Sequence, residues 1–330
     1  MKKLKSISSG NYLNKLKKRR SFICGIKGKS LTNKEIVFLR KYKPWGIILF
    51  SRNIDNIYQV RLLTNMIKKL FNDKNFPILI DEEGGRVSRF SKIIDTKIFT
   101  AEYFGNLYKK NKKKFNLYLD VYLKQISYLL KSSGINFNTS PVLDIRYKNK
   151  HKIIGDRSYS SNPKIVSYIG KKVIFKFHQQ KICSIIKHIP GHGLANVDSH
   201  KKLPIINKSI NYLLKNDFYP FVNNKAFIAM TAHILINNYD KINCVTHSKK
   251  IIKLIREKIG FKNIIITDDI SMKALKHPIQ ISTIKAFDAG CDIVLHCNGN
   301  INEMTKVAKN SPKLSNFLIK KTSQLNKFLS

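Results

Sequence analysis

Two hydrophobic patterns alternate along the chain. Short, wholly apolar runs rich in Ile, Val and Phe stop abruptly at polar or glycine residues: "SFICGIKG", "WGIILFSRN", "FPILIDEEGG", "INFNTSPVLDI", "ICSIIKHIPGHG", "AFIAMTAHI", "NIIITDDI" and "CDIVLHCN". Runs this short and continuous predict strands buried on both faces. The longer segments between them place apolar residues three and four apart, which predicts amphipathic helices; "IYQVRLLTNMIKKLF", "FNLYLDVYLKQISYLLKSSG" and "SKKIIKLIREKIG" are examples, the last two closed by Gly134 and Gly260. Eight buried strands alternating with helices predict an α/β protein, a single-domain (β/α)8 TIM-type barrel over residues 21–330. An open doubly wound sheet has the same periodicity, but no G-x-G-x-x-G follows the first run as a dinucleotide fold would require.

In such a barrel, reactive side chains gather where strands end at the C-terminal face. The runs end in Arg52-Asn53, Asp81, Asp144, Lys187-His188, His233, Asp268-Asp269 and His296, which are expected to converge on one rim. "KHIPGHGLANVDSH", residues 187–200, packs three histidines around Pro190, Gly191 and Gly193. His188 and His192 are four apart, but the proline and glycine between them disfavour the helix that a two-histidine metal site would use. Asp198 and His200 suit proton transfer better, because a carboxylate that accepts one imidazole N–H raises the basicity of the other nitrogen. In "DEEGGRVSRF", the glycines with Arg86 and Arg89 fit either a phosphate site or a tight loop stapled by an Asp–Arg pair. In "TDD", alternation lets only one carboxylate face the barrel mouth; Asp269 suits a cap, leaving Asp268 for nucleophile, base or ligand.

Composition changes this picture little. The formal charge of +42 is spread as Lys from end to end beside abundant Asn and Ile, the signature of AT-rich codons and not of a nucleic-acid stripe. The five cysteines form no C-x-x-C pair and mostly sit in apolar runs, as reduced cytosolic thiols do. Residues 1–20, "MKKLKSISSGNYLNKLKKRR", lack the apolar core of a signal peptide and are expected to form a mobile basic tail. No run approaches the roughly 18–20 apolar residues of a membrane span.

Taken in order, "WGIILFSRN", "DEEGGRVSRF", "PVLDI", "GDRSYSSNP", "KHIPGHG…VDSH", "TDDISMKAL" and "AGCDIVLHCNG" resemble glycoside hydrolase family 3, in particular its single-domain bacterial β-N-acetylhexosaminidases, from about Ser21 to Asn300. The resemblance implies a cytoplasmic, retaining enzyme that removes non-reducing terminal N-acetylglucosamine from anhydro-muropeptides in peptidoglycan recycling. It implies Asp268 as nucleophile, His200 as general acid/base on a mobile loop, and Asp198 as the residue that orients it. Asp81, Arg89, Arg157, Lys187 and His188 match positions that hold the sugar hydroxyls. The expected partner is a small carbohydrate, GlcNAc-anhydroMurNAc with or without a peptide; no cofactor, metal, nucleic acid or membrane is called for, and the chain is expected to be a monomer. Glu82 stands where many members have Gln, and alternation turns it from the sugar; Leu194-Ala195-Asn196 replaces a common Asp-Thr; Thr267 replaces Ser. A β-glucosidase or a phosphorylase is the nearest alternative, a non-catalytic barrel or basic nucleic-acid-binding protein a more distant one.

Overall fold

A computed structural model describes residues 12–148, 153–199 and 201–330. Its strands are β1 (Arg20–Gly25), β2 (Pro44–Leu49), β3 (Ile78–Ile80), β4 (Phe137–Asn138), β5 (Cys183–Ile189), β6 (Ile205–Ile206), β7 (Ile228–Thr231), β8 (Leu235–Ile236), β9 (Ile264–Asp269) and β10 (Ile293–His296). Its α-helices are α1 (Asn33–Tyr42), α2 (Ile57–Leu70), α3 (Ala101–Lys110), α4 (Lys112–Ser132), α5 (Pro163–Gln179), α6 (Ile210–Lys215), α7 (Lys249–Leu254), α8 (Ile279–Ala289), α9 (Ile301–Asn310) and α10 (Asn316–Leu329). Strands β1, β2, β3, β4, β5, β7, β9 and β10 close into one parallel barrel, and each corresponds to one of the eight apolar runs. The short parallel pair β6–β8 lies outside it.

The runs are apolar throughout because each strand serves two cores. Ile23, Ile48, Leu79, Phe137, Ile185, Ile228, Ile264, Ile266 and Ile293 belong to one cluster, which fills the barrel. Their neighbours Phe22, Ile47, Ile78, Ile186, Ala229, Ile265 and Val294 belong to the other, packed against the helices. Leu16, Leu318 and Leu325 join the inner cluster, and the indole N–H of Trp45 donates to Thr322 Oγ1 at 2.9 Å, so α10 plugs the barrel where its strands begin.

Helix ends follow local chemistry. Thr32 and Glu35 form a reciprocal capping box on α1, and the Asn56 side chain accepts from the Gln59 N–H to start α2. The helix expected to end at Gly260 does so in the left-handed conformation, although its last turn, Ile255–Ile259, widens to π spacing.

The expectation of a mobile tail through residue 20 needs correction. Residues 1–11 lie outside the described residues. Beyond them, Leu16 is fully buried and Arg19 forms a 2.6 Å ion pair with Asp73, both side chains only 3% exposed. A buried leucine and a buried guanidinium tie this segment to the barrel floor, and β1 starts at Arg20.

Candidate active site

The period-two alternation that fills the barrel also builds its mouth. Each inward row carries an apolar residue and, one step further along the strand, a polar one: Leu79 then Asp81, Phe137 then Thr139, Ile185 then Lys187, Ile266 then Asp268, Leu295 then Cys297. The result is a cleft of about 170 Å³ whose lining includes Asp81, Glu83, Arg89, Arg157, Lys187, His188 and Asp268. The same parity turns Glu82 and Asp269 away. Glu82 accepts the backbone N–H groups of Arg89 (2.7 Å) and Phe90 (3.1 Å), and burial pushes its carboxyl up to about 6. Asp269 accepts from the Ser271 N–H and hydroxyl at 3.0 and 2.8 Å, capping the turn that follows β9.

Lys187 is the hub of the site. Its buried ammonium donates to Asp81 Oδ1 at 2.7 Å and to Thr139 Oγ1 at 2.9 Å, and forms an ion pair with Glu83 Oε1 at 2.6 Å. Asp81 also accepts the Thr139 hydroxyl and reaches Arg89 Nη2 at 3.2 Å. Glu83 and Arg157 form a two-pronged pair at 2.7 and 2.8 Å. Burial alone would raise both carboxyls, but Lys187 and Arg89 hold Asp81 far below the ordinary range, and Arg157 and Lys187 hold Glu83 at about 2. The Asp–Arg staple is thus the arrangement found, and Arg86, also on the cleft wall, pairs with Asp156 at 2.7 Å.

His188 reaches the cleft because the register of β5 against β7 shifts between Lys187 and Ile189. Its Nδ1 lies 2.6 Å from Oδ2 of the fully buried Asp144, whose Oδ1 accepts the His192 N–H at 2.7 Å. The other ring nitrogen faces Asp268, 4.0 Å from Oδ2. Asp268 Oδ1 accepts the backbone N–H of Asp269 at 2.8 Å. Burial would raise this carboxyl, but His188, His233 and that N–H hold it below the ordinary aspartate value. Among the described residues it is the cleft carboxylate with no Lys or Arg within 4.0 Å, so it is ionised without being tied into a strong ion pair.

Not every strand end converges. Arg52 and Asn53 turn to the carbonyl of Ile26, His233 bonds Thr246 Oγ1 (2.7 Å) and the Asp269 carbonyl (3.0 Å), and His296 pairs with Glu303 at 2.9 Å. These side chains satisfy backbone and loop groups around the rim instead of facing the cleft.

The loop after β5 begins packed against the barrel: Gly191, His192, Gly193, Leu194 and Ala195 are all buried, and an added Cβ on Gly193 would meet the Ile145 carbonyl. Among the described residues 190–199, Asn196 is exposed and Val197 and Asp198 are half-buried. Asp198 lies beside the cleft-lining Ser199, which is held by His192 Nε2 at 3.3 Å and, through its carbonyl, by the Ala274 N–H at 3.2 Å. His200, named as the acid/base, lies outside the described residues. Sequence reasoning missed Glu83, Thr139 and the role of Asp144. The parity of Asp81 would have found Glu83, two residues on, and that of Phe137 would have found Thr139; the end of its apolar run singled out Asp144, but nothing local tied it to His188.

Comparison with known proteins agrees with this architecture. The profile of the glycosyl hydrolase family 3 N-terminal domain matches residues 17–323. The chain belongs to that family. A β-hexosaminidase of Neisseria meningitidis serogroup A is 33% identical over 266 residues, 77% of this chain and 71% of that protein. One from Hydrogenovibrio crunogenus is 31% identical over 264 residues, with the same two coverages of 77% and 71%. Native NagZ from Neisseria gonorrhoeae superposes with a TM-score of 0.78 at 27% identity, covering 94% of this chain and 97% of that one. A family 3 β-N-acetylglucosaminidase from Paenibacillus shares the fold, with a TM-score of 0.84 at 23% identity over 96% of this chain and 61% of its own length.

Proposed function

We propose that this family 3 glycoside hydrolase is a retaining exo-β-N-acetylglucosaminidase. It cleaves terminal N-acetylglucosamine from peptidoglycan fragments such as GlcNAc-anhydroMurNAc. The β-hexosaminidase class is that of relatives about a third identical over most of both chains. The observation that carries the mechanism is Asp268, an ionised carboxylate with no Lys or Arg partner among the described residues, lining the cleft at the barrel mouth.

Asp268 Oδ2 attacks the anomeric carbon and forms a glycosyl-enzyme ester while the glycosidic oxygen departs. Asp81, Arg89, Arg157, Lys187 and His188 hold the hydroxyls of the sugar. The network among them is preorganised, so few side chains need ordering when substrate arrives. The Asp198–His200 pair supplies the proton to the leaving oxygen and then activates water, and movement of the loop after β5 brings the pair over the sugar. The five unpaired cysteines, four of them buried, accord with a reducing cytoplasm as the place of action, and the chain acts as a monomer.

The test compares aryl β-N-acetylglucosaminide with aryl β-glucoside, using wild type and Asp268→Ala. Release from the acetamido substrate alone, abolished in the variant, is the expected result. Full activity in Asp268→Ala would remove the nucleophile assignment, and equal turnover of the glucoside would remove the hexosaminidase reading.

A further inference from the structure

Three adjacent helices share a feature that the barrel does not need. The outward faces of α2, α4 and α5 carry large apolar side chains in stripes at helical spacing: Tyr58, Leu62 and Met66; Leu117, Val121 and Tyr128; Tyr168 and Phe175. Tyr58 is 73% exposed, Tyr128 65% and Val121 59%. Exposed apolar side chains occur elsewhere too, among them Val37, Ile98, Ile242, Ile281, Ile284 and Phe317, but the segment Lys249–Ile259 and helix α9 carry none among the described residues and α8 only two. The stripes on α2, α4 and α5 are the largest group of them on adjacent helices among the described residues.

The three helices form a continuous wall. Arg61 reaches the Ser132 carbonyl at 3.1 Å and Lys68 the Gly134 carbonyl at 2.7 Å, joining α2 to the end of α4. Lys172 reaches Asn116 at 2.6 Å and Lys176 reaches Asp120 at 2.5 Å, joining α4 to α5. Within their spans the helices hold twelve cationic side chains, eleven of them Lys, against one carboxylate, Asp120. That carboxylate is already shared by Lys124 (2.8 Å) and Lys176.

We propose that this flank is a peripheral docking surface for an anionic lipid bilayer. Aromatic and aliphatic side chains interleaved with Lys fit the boundary between headgroups and acyl chains, and each Lys gains from negative lipid charge. A second copy would set one strongly cationic wall against another, which charge opposes. A protein partner fits less well, because protein interfaces are depleted in Lys and enriched in Arg. The outer wall of a barrel is also convex, suited to a deformable sheet more than to a peptide. Barrel helices run alongside the strands, so docking on this flank leaves the cleft at the C-terminal face open. The proposal is independent of the reaction assigned to the cleft.

The test is co-sedimentation of the nuclease-treated full chain with vesicles of phosphatidylcholine, with and without phosphatidylglycerol, at low and high salt. Binding is expected only to the anionic vesicles and should weaken with salt. Replacing Tyr58, Leu62, Val121 and Phe175 together by Gln should lower the partition coefficient by about tenfold or more. Gln at the equally exposed Ile98 and Ile242 should leave it unchanged. A charge-reversal variant, Lys113→Glu with Lys124→Glu and Lys171→Glu, probes the same face without touching the apolar stripes and should also bind weakly. Equal binding by the apolar variant and wild type would reduce the effect to bulk charge and overturn the proposal. So would a dimer in light scattering that this variant dissolves, or binding to nucleic acid that displaces the vesicles.

Discussion

Asp144 Oδ2 lies 2.6 Å from His188 Nδ1, deep beneath the cleft, and directs the opposite ring nitrogen toward Asp268. The carboxylate is fully buried and also accepts the His192 N–H, so it sets both the tautomer and the angle of the imidazole. Asp144→Asn keeps the shape but can present an amide N–H to Nδ1. A fall of about 10- to 100-fold in kcat/KM is expected, by analogy with other residues that orient a functional His. Steady-state kinetics beside a thermal melt separate this from unfolding; unchanged kinetics would mean that His188 needs no orientation.

Lys187 neutralises two buried carboxylates at once. Lys187→Met removes the charge but keeps the length, leaving Asp81 and Glu83 facing each other without their shared cation. A loss of about 3–5 kcal/mol is expected for such a break in a buried ionic network, read by urea denaturation at pH 7. The intact network should also shape acid unfolding. Glu83 is held at about 2, so its contribution is present above its unfolded value near 4.5 and is lost as pH falls toward 2.

Asp217 has the opposite sign. It is buried, receives a 2.9 Å hydrogen bond from the Tyr147 hydroxyl at Oδ2, and its carboxyl is pushed up to about 7, chiefly by burial. In the unfolded chain it ionises near 3.8, so the folded state holds a proton that the unfolded state has lost between these values. Stability is therefore full below about pH 4 and declines as pH rises through 7. Asp217→Asn should raise the melting temperature at pH 8 and change it little at pH 4. A uniform shift at both values would assign the effect to packing.

Gly191 adopts φ +138°, and a Cβ there would meet Asp217 Cβ and the Asp217 carbonyl at 2.8 Å. Gly191→Ala is expected to cost about 1–3 kcal/mol through the unfavourable backbone conformation alone, with more from the clash. Because the turn leads to Ser199 and Asp198, activity should fall even where the protein remains folded, as circular dichroism and turnover together would show.

How much of this was legible beforehand follows from how far each property reaches along the chain. Eight strands could be read from the sequence because a strand buried on both faces must be apolar at every position, a local demand on consecutive residues. The motifs at their ends, and the family they belong to, were equally local. Alternation also placed Asp268 in the cleft and turned Glu82 and Asp269 away, as found. The tertiary structure alone decided the pairing of Lys187 with Asp81 and Glu83, more than a hundred positions earlier, since only the pairing of β4 between β3 and β5 brings their inward rows within reach of each other. It also decided that residues 191–195 are packed against the body and that residues 12–20 belong to the barrel floor. Glycine, proline and lysine describe what a segment can do in isolation. Whether it is free depends on the neighbours that the fold sets against it.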